Sequence, residues 1–286
     1  MVALIKTTIR SCLVDAKSSL ENAGIEEPLK CARLLLSYVL ERPLEFIIGH
    51  PEFEISEKTC RDYRAVIHRR ALGEPPSKIV GHREFWSRQF YVDVHVLDPR
   101  PDSETLIEAV EVFFPTLKSP QTILELGVGS GCLLLTLLLN HPTLIGFGVD
   151  KSINALQCAV RNVHHHQLES RAHLIQGDWC SALQGTFDII VSNPPYIPSG
   201  DIRNLSPELS YDPLLALDGG GDGLSCYHLL SQQLQSLVHQ DTLIFFEIGM
   251  GQHGDVEKLM SQQGFKCHQW FKDLSGLERI GVFQLK

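Results

Sequence analysis

Apolar positions in the first 72 residues recur at helical spacing. Between Pro28 and Leu40, Leu29, Leu34, Leu35, Tyr38 and Val39 mark one stripe. From 57 to 72, Tyr63, Val66, Ile67 and Arg70 alternate with charge in the same way. "RPLEFIIGHPEFEIS" between them carries two prolines and a glycine, and predicts a connection. The period then drops to two. In "HREFWSRQFYVDVHV", Phe85, Phe90, Val92, Val94 and Val96 alternate with polar residues about a turn at Ser87-Arg88, which predicts a β-hairpin. Pro99 and Pro101 stop it. Asp102 or Ser103 is placed to cap a helix with Leu106, Ile107, Val110, Phe113 and Phe114 on one side.

From Thr122 onward, short apolar runs alternate with amphipathic stretches. Strands are predicted at "TILEL", "LIGFGVD", "AHLIQGD", "FDIIVSN", "TLIFFEIG", "KCHQWF" and "RIGVFQL", and helices at 130–140, 153–166, 223–238 and 255–263. This order predicts an α/β fold, a doubly wound, mostly parallel seven-stranded sheet with helices on both faces. The expected organisation is a small N-terminal helical domain over 1–74, a linker and β-hairpin over 75–101, and a sheet domain over 102–286. Ligands of such sheets bind at the carboxyl ends of the strands.

Composition narrows the function classes. A chain of 286 residues, 43% hydrophobic, can bury a large core. Its net charge of −9 argues against a dedicated nucleic-acid binder, whose footprint is basic. The eight cysteines are scattered without a C-x-x-C pair, so reduced thiols are expected and no metal site. The N-terminus lacks the apolar stretch of a signal peptide, and the longest apolar run, 132–139, cannot span a bilayer, so a soluble, cytoplasmic protein is expected. His164, His165 and His166 are consecutive on a helix and share no face, which places them at the surface. Arg61, Arg64, Arg69 and Arg70 read as a solvated helix face or as a patch for an acidic partner.

The chemistry begins at the first βα turn, "ELGVGSGCL". Gly127, Gly129 and Gly131, with Val128 and Ser130 between them, form G-x-G-x-G after a strand and before a helix, where free N–H groups meet a ligand. A dinucleotide fingerprint requires glycine at 132, and this chain has Cys132. The compact triglycine, preceded by Glu125, suits S-adenosyl-L-methionine instead. Asp150 ends the second strand, where a carboxylate can accept from ribose hydroxyls. Asp178 and Trp179 end the third. The carboxylate there can take the adenine amino group, and the indole can lie against the ring.

The fourth strand ends in Asn193-Pro194-Pro195-Tyr196. Amino groups on sp² carbon (adenine N6, cytosine N4, a glutamine amide) have delocalised lone pairs and are poor nucleophiles. Two acceptors that hold both N–H groups orient the nitrogen and oppose the charge that develops as a methyl arrives. The Asn193 side-chain carbonyl and the Pro194 main-chain carbonyl can be those acceptors. The prolines stiffen the turn, and Tyr196 offers a flat face to a planar group. These residues select a planar nitrogen without selecting which one.

With these motifs, the chain resembles the release factor glutamine N5-methyltransferase family (PrmC/HemK type) over essentially its whole length. "GHREFWSRQFYVDVHVLDPRPDSE" is similar to that family's hairpin and its Pro-Arg-Pro motif, here Pro99-Arg100-Pro101. "ELGVGSG", "VSNPPYI", "LALDGGGDGLSCY", "FEIGMGQ" and "KDLSGLERI" match further signatures. The resemblance implies a class I, Rossmann-like methyltransferase that uses S-adenosyl-L-methionine, works as a monomer, and methylates the glutamine of the Gly-Gly-Gln loop in class 1 peptide chain release factors. By position it assigns cofactor contacts to 127–131, Asp150, Trp179 and Asn193, and substrate contacts to Asn193, Pro194, Pro195, Tyr196 and Arg100. The helical domain would engage the release factor. Asp98, Asp102-Ser103 and Tyr211-Asp212 depart from the family pattern. Two other readings stand beside it: an amino-methyltransferase of adenine or cytosine in nucleic acid, which would have to flip a duplex base, and a non-catalytic cofactor-binding scaffold. Glu247, ending "LIFFE", supports the rim of the site or serves structure alone.

Overall fold

The structure is a computed structural model and describes residues 7–286. Residues 1–6, which open the expected helical domain and the segment read for a signal peptide, lie outside the described residues. The chain divides into two units. One holds residues up to Gly81 together with Ser206–Tyr211, and the other holds His82–Leu205 and Asp212–Lys286.

The first unit contains α1 (Ile9–Asn22), α2 (Pro28–Leu40), α3 (Leu44–Gly49), α4 (Glu57–Ala71) and α5 (Pro76–Val80). Thr8 caps α1 in a capping box with Ser11, and Ser56 caps α4 by accepting from Thr59 N. The stretch expected as a connection forms the short α3, whose Ile47 is buried. The start of the expected linker folds as α5 and buries Ile79 in the same core. On α2 the buried seam is Cys31, Ala32, Leu35 and Leu36, while Leu34 and Tyr38 are exposed. Small residues carry half of that seam, and the stripe drawn through large residues shares only Leu35 with it.

The basic cluster on α4 is divided. Arg69 bonds Glu74, whereas Arg70 is 5% exposed and pairs with Glu208. Pro207 packs against Gly73, and Tyr211 Oη donates to Leu72 O, so a distant piece of chain completes this unit.

The second unit opens with a hairpin of β1 (His82–Phe85) and β2 (Arg88–Tyr91). Its turn residues, Trp86 and Ser87, have φ of 51° and 56°, the left-handed pair that a two-residue hairpin turn demands. The alternation continues past Tyr91 without a strand. Asp93 accepts from His95 N and folds the chain into a turn, while Val92 and Val96 tuck against Ala155 and Cys158.

The large sheet contains β3 (Thr122–Leu126), β4 (Ile145–Asp150), β5 (Ala172–Gln176), β6 (Phe187–Ser192), β7 (Val238–Glu247), β8 (Phe265–Lys272) and β9 (Glu278–Leu285), in the order β5-β4-β3-β6-β7-β9-β8. The first five strands are parallel, and β9 is antiparallel to β7 and β8. Alternate side chains feed two cores. Ile123, Ile189, Val191, Leu243 and Phe245 pack with α6 (Glu104–Phe113), α7 (Cys132–Asn140) and α8 (Ile153–His165). Leu124, Leu126, Ile190, Ile244 and Phe246 pack with α9 (Ser225–Gln233) and α10 (His253–Gln262).

Neither Asp102 nor Ser103 caps α6 through its side chain. They lie in a 3₁₀ turn, Pro101–Ser103, and Ser103 is the non-capping residue before Glu104. The helix expected over 223–238 covers Ser225–Gln233 and passes into a 3₁₀ turn at Leu234–Ser236 before β7 begins at Val238. Buried Asn162 on α8 bonds both Tyr91 O and Ser130 O, and so ties the hairpin to the loop after β3.

Candidate active site

Strand order reverses at β3, which has β4 on one side and β6 on the other. Loops leaving β3, β4, β5 and β6 therefore meet on one rim, at the switch point of the sheet. They surround a cavity of about 280 Å³. Its lining includes Glu125, Gly127, Val128, Gly129 and Ser130 from the first loop, Asp150 from the second, and Asp178 and Trp179 from the third. Asn193, Pro195 and Arg100 also face it. Of the residues singled out in the sequence, Gly131, Pro194 and Tyr196 do not line this cavity. Gly131 is the residue before α7, Pro194 is buried, and the Tyr196 ring lies against Gly249.

The cavity wall is held by its own polar groups. Asp150 accepts from Gly129 N (2.9 Å) and from Ser152 N (2.8 Å), which pins the glycine loop to the end of β4. Glu125 is 2% exposed and accepts from Leu134 N at 2.9 Å. Burial pushes its carboxyl well above the usual range. Asp178 pairs with Lys151 at 2.9 Å. Gly127 has φ +78°, and a Cβ built there would touch the Trp179 ring at 3.5 Å. The indole thus lies directly behind the open backbone of the loop, and a side chain at 127 would fill that space.

Arg100 reaches the cavity while its Nη2 donates to Asp212 Oδ2 over 2.6 Å. Asp212 Oδ1 accepts from Asp98 N at 3.0 Å. Two positions that depart from the family pattern are therefore bonded to each other, and together they fix the arginine.

Sequence reasoning gave no role to the residues that clamp the 193–196 turn. Gln252 Nε2 donates to Tyr196 O (3.0 Å) and Gly223 O (3.3 Å), while its Oε1 accepts from Gly249 N (2.9 Å). Ile197 pairs with 217–219 through Ile197 N to Leu217 O and Gly219 N to Ile197 O. The signal was present in "LALDGGGDGL" and "FEIGMGQ", as clustered glycines and an isolated glutamine. The triple histidine has ordinary partners: His164 meets Glu169, His165 the Tyr91 ring, and His166 Gln89 O. Among the described residues no group of three metal-ligating side chains occurs, and no helix is long and apolar enough to cross a membrane.

A doubly wound sheet with a glycine loop, strand-end carboxylates and Asn-Pro-Pro-Tyr on one rim defines a methyltransferase of the Rossmann-like class. Residues 103–209 match the methyltransferase small domain family, and residues 11–81 match the PrmC N-terminal domain family. A release factor glutamine methyltransferase of Rhodospirillum rubrum is 43% identical, over 91% of this chain and 80% of the relative. One from Agrobacterium fabrum is 36% identical over 97% of each chain. Among solved structures, the ribosomal protein L11 methylase of Lactobacillus delbrueckii subsp. bulgaricus shares the fold, with a TM-score of 0.51, 16% identity, and coverage of 71% of this chain and 90% of that one. The chain belongs to the release factor glutamine methyltransferase family.

Proposed function

We propose that this chain transfers a methyl group from S-adenosyl-L-methionine to the side-chain amide nitrogen of the glutamine in the Gly-Gly-Gln loop of class 1 peptide chain release factors, and so tunes translation termination. The observation that carries it is that Asn193 and Pro195 open onto the same cavity as the glycine loop, Asp150 and Trp179, in a chain of this family. The residues present fit the cofactor. Gly127 leaves free the space a side chain would take, Asp178 and Trp179 line the cavity where they would meet an adenine, and Asp150 keeps lone pairs beyond its two main-chain bonds for a ribose. When bound, the cofactor supplies a methyl on a positively charged sulfur.

The protein's part is orientation. Asn193 Oδ1 and a neighbouring carbonyl take the two N–H groups of the glutamine amide, and the nitrogen lone pair then faces the methyl. With the cofactor bound, its methyl would pass to the nitrogen held in this way, and the surplus amide proton would go to water. Arg100, fixed by Asp212, borders the substrate side. The enzyme acts as a cytoplasmic monomer on a protein partner, and its net charge of −9 supports a protein rather than a nucleic acid.

Incubation with methyl-labelled cofactor, a release factor and nucleic acid tests the reading. Label is expected on the Gly-Gly-Gln peptide. Label on adenine or cytosine instead would establish a base methyltransferase, and no label anywhere would leave a binding scaffold. In the same system, Trp179→Ala is expected to weaken S-adenosylhomocysteine about 10- to 100-fold by calorimetry, the magnitude of one aromatic–base contact. An unchanged affinity would remove Trp179 from the adenine site.

A further inference from the structure

The end of β7 lies beside the end of β6. The strands run parallel with Ser192 opposite Phe246, so the next residues, Asn193 and Glu247, are neighbours on the same face of the sheet. That face is the one covered by α6, and Ser103 immediately precedes α6. Ser103 and Glu247 are 4% and 1% exposed. Asn193 Nδ2 donates to Ser103 Oγ over 3.2 Å, and both residues act on the nearby Glu247 carboxyl, holding it lower than burial alone would. An amide nitrogen has two hydrogens to give. One is held by Ser103, beside the position that the register gives Glu247, which leaves Oδ1 for the cavity.

We propose that Glu247 is a positioning residue for the transfer: with Ser103 it holds the Asn193 carboxamide in the one orientation that turns Oδ1 toward the amide being methylated. The proposal rests on the reading of function given above. A buried carboxylate is costly when it serves packing alone, and Glu247 Oε2 has no hydrogen-bond partner among the described residues. An uncharged side chain of the same size would fill the space. Burial raises the Glu247 carboxyl to about 7, against the hydrogen bond from Ser103, the charge of Arg279 and the hydrogen bond from Asn193. The groups around it are Arg279 on β9, Asp102 before α6, Tyr196 in the turn, Tyr227 on α9 and Cys132 on α7.

The direction of the pH effect follows. A carboxylate can only accept, and so leaves the Asn193 amide nitrogen turned toward Ser103 and itself. The protonated acid instead donates from one oxygen and can offer that hydrogen to Asn193 Oδ1, turning the amide. Turnover therefore falls as the pH drops through about 7 and is level above it.

Glu247→Gln keeps the size and removes the titration. Single-turnover transfer to a release factor between pH 5.5 and 9 is expected to give a wild-type acid limb that falls about tenfold per pH unit. In the variant the plateau drops about 10- to 100-fold, the cost of a small misplacement of a reacting group, and the limb disappears. Cofactor affinity stays within about threefold. Infrared difference spectra of the cofactor-free protein should show a protonated carboxyl band that titrates near pH 7 in the wild type and is missing from the variant. Ser103→Ala, which leaves Glu247 in place, should lower the plateau several-fold and keep the limb. A variant at Glu247 with the wild-type plateau, or one that keeps the limb, overturns the positioning role while leaving the function intact. A wild-type chain that transfers no methyl at any pH overturns the parent reading, and this inference with it.

Discussion

Asn193→Ala is expected to lower the rate of methyl transfer by about two to three orders of magnitude and to leave the affinity for S-adenosylhomocysteine within about fivefold. The size follows from what the side chain does. Removing one preorganised polar group aimed at developing charge costs about 10²–10³ in turnover at comparable sites. Under the proposed function Asn193 is one such group, and its bond from Nδ2 to Ser103 leaves the carbonyl oxygen free. The glycine loop, Asp150 and Trp179 line the rest of the cavity, so the proposed cofactor contacts remain and binding is expected to be largely retained. Rapid-quench transfer to a release factor and calorimetry with the cofactor product separate the two quantities. Turnover that survived within tenfold would mean that the amide is oriented by main chain alone.

Gly223→Ala is expected to damage the same turn from behind. Gly223 has φ +77°, and a Cβ there would overlap the Tyr196 carbonyl oxygen and come 2.8 Å from Gln252 Nε2. The left-handed conformation alone costs an L-residue about 1–2 kcal/mol. The overlap forces either the Asn-Pro-Pro-Tyr main chain or Gln252 to move, and Gln252 is the bond that joins Tyr196 O to Gly223 O and Gly249 N. The expected result is a loss of about 2–4 kcal/mol in denaturant unfolding, from backbone strain and a broken buried hydrogen bond. Turnover should fall at least about 100-fold at saturating cofactor. Gly221→Ala, two residues away, meets nothing within 4 Å and should change stability by less than about 0.5 kcal/mol. Equal behaviour of the two variants would show that the clamp has no bearing on the site.

The sheet was legible because its strands are short apolar runs between turn residues, and because both faces are covered. Ile189 and Val191 enter one core and Ile190 the other, so no alternation was needed to find the strand. The hairpin was legible as a pattern, but its end was not. Val92, Val94 and Val96 keep the two-residue period although Asp93 turns the chain, and the side-chain bond that does so is invisible to a count of apolar residues. The seam of α2 was misplaced because Cys31 and Ala32 are small. On the rim, residues read from motifs that follow a single strand do line one cavity: Gly127 to Ser130, Asp150, Asp178-Trp179 and Asn193. What stayed hidden depends on strands far apart in the chain. Glu247 meets Asn193 only because β7 pairs with β6, and Ser103 meets them only because the turn before α6 closes over that edge.

Arg70 waits for a partner that is made late. Its carboxylate, Glu208, is translated 127 residues after Gly81, the last residue of the helical unit's main segment. At roughly 5–20 residues per second, this is an interval of about six to twenty-five seconds. Through that time the five helices can bury Leu20, Leu35 and Tyr63, but the guanidinium on α4 must stay in water or find a substitute anion. The unit that stands first along the chain is therefore finished only after the first four parallel strands and the Asn-Pro-Pro-Tyr turn have left the ribosome.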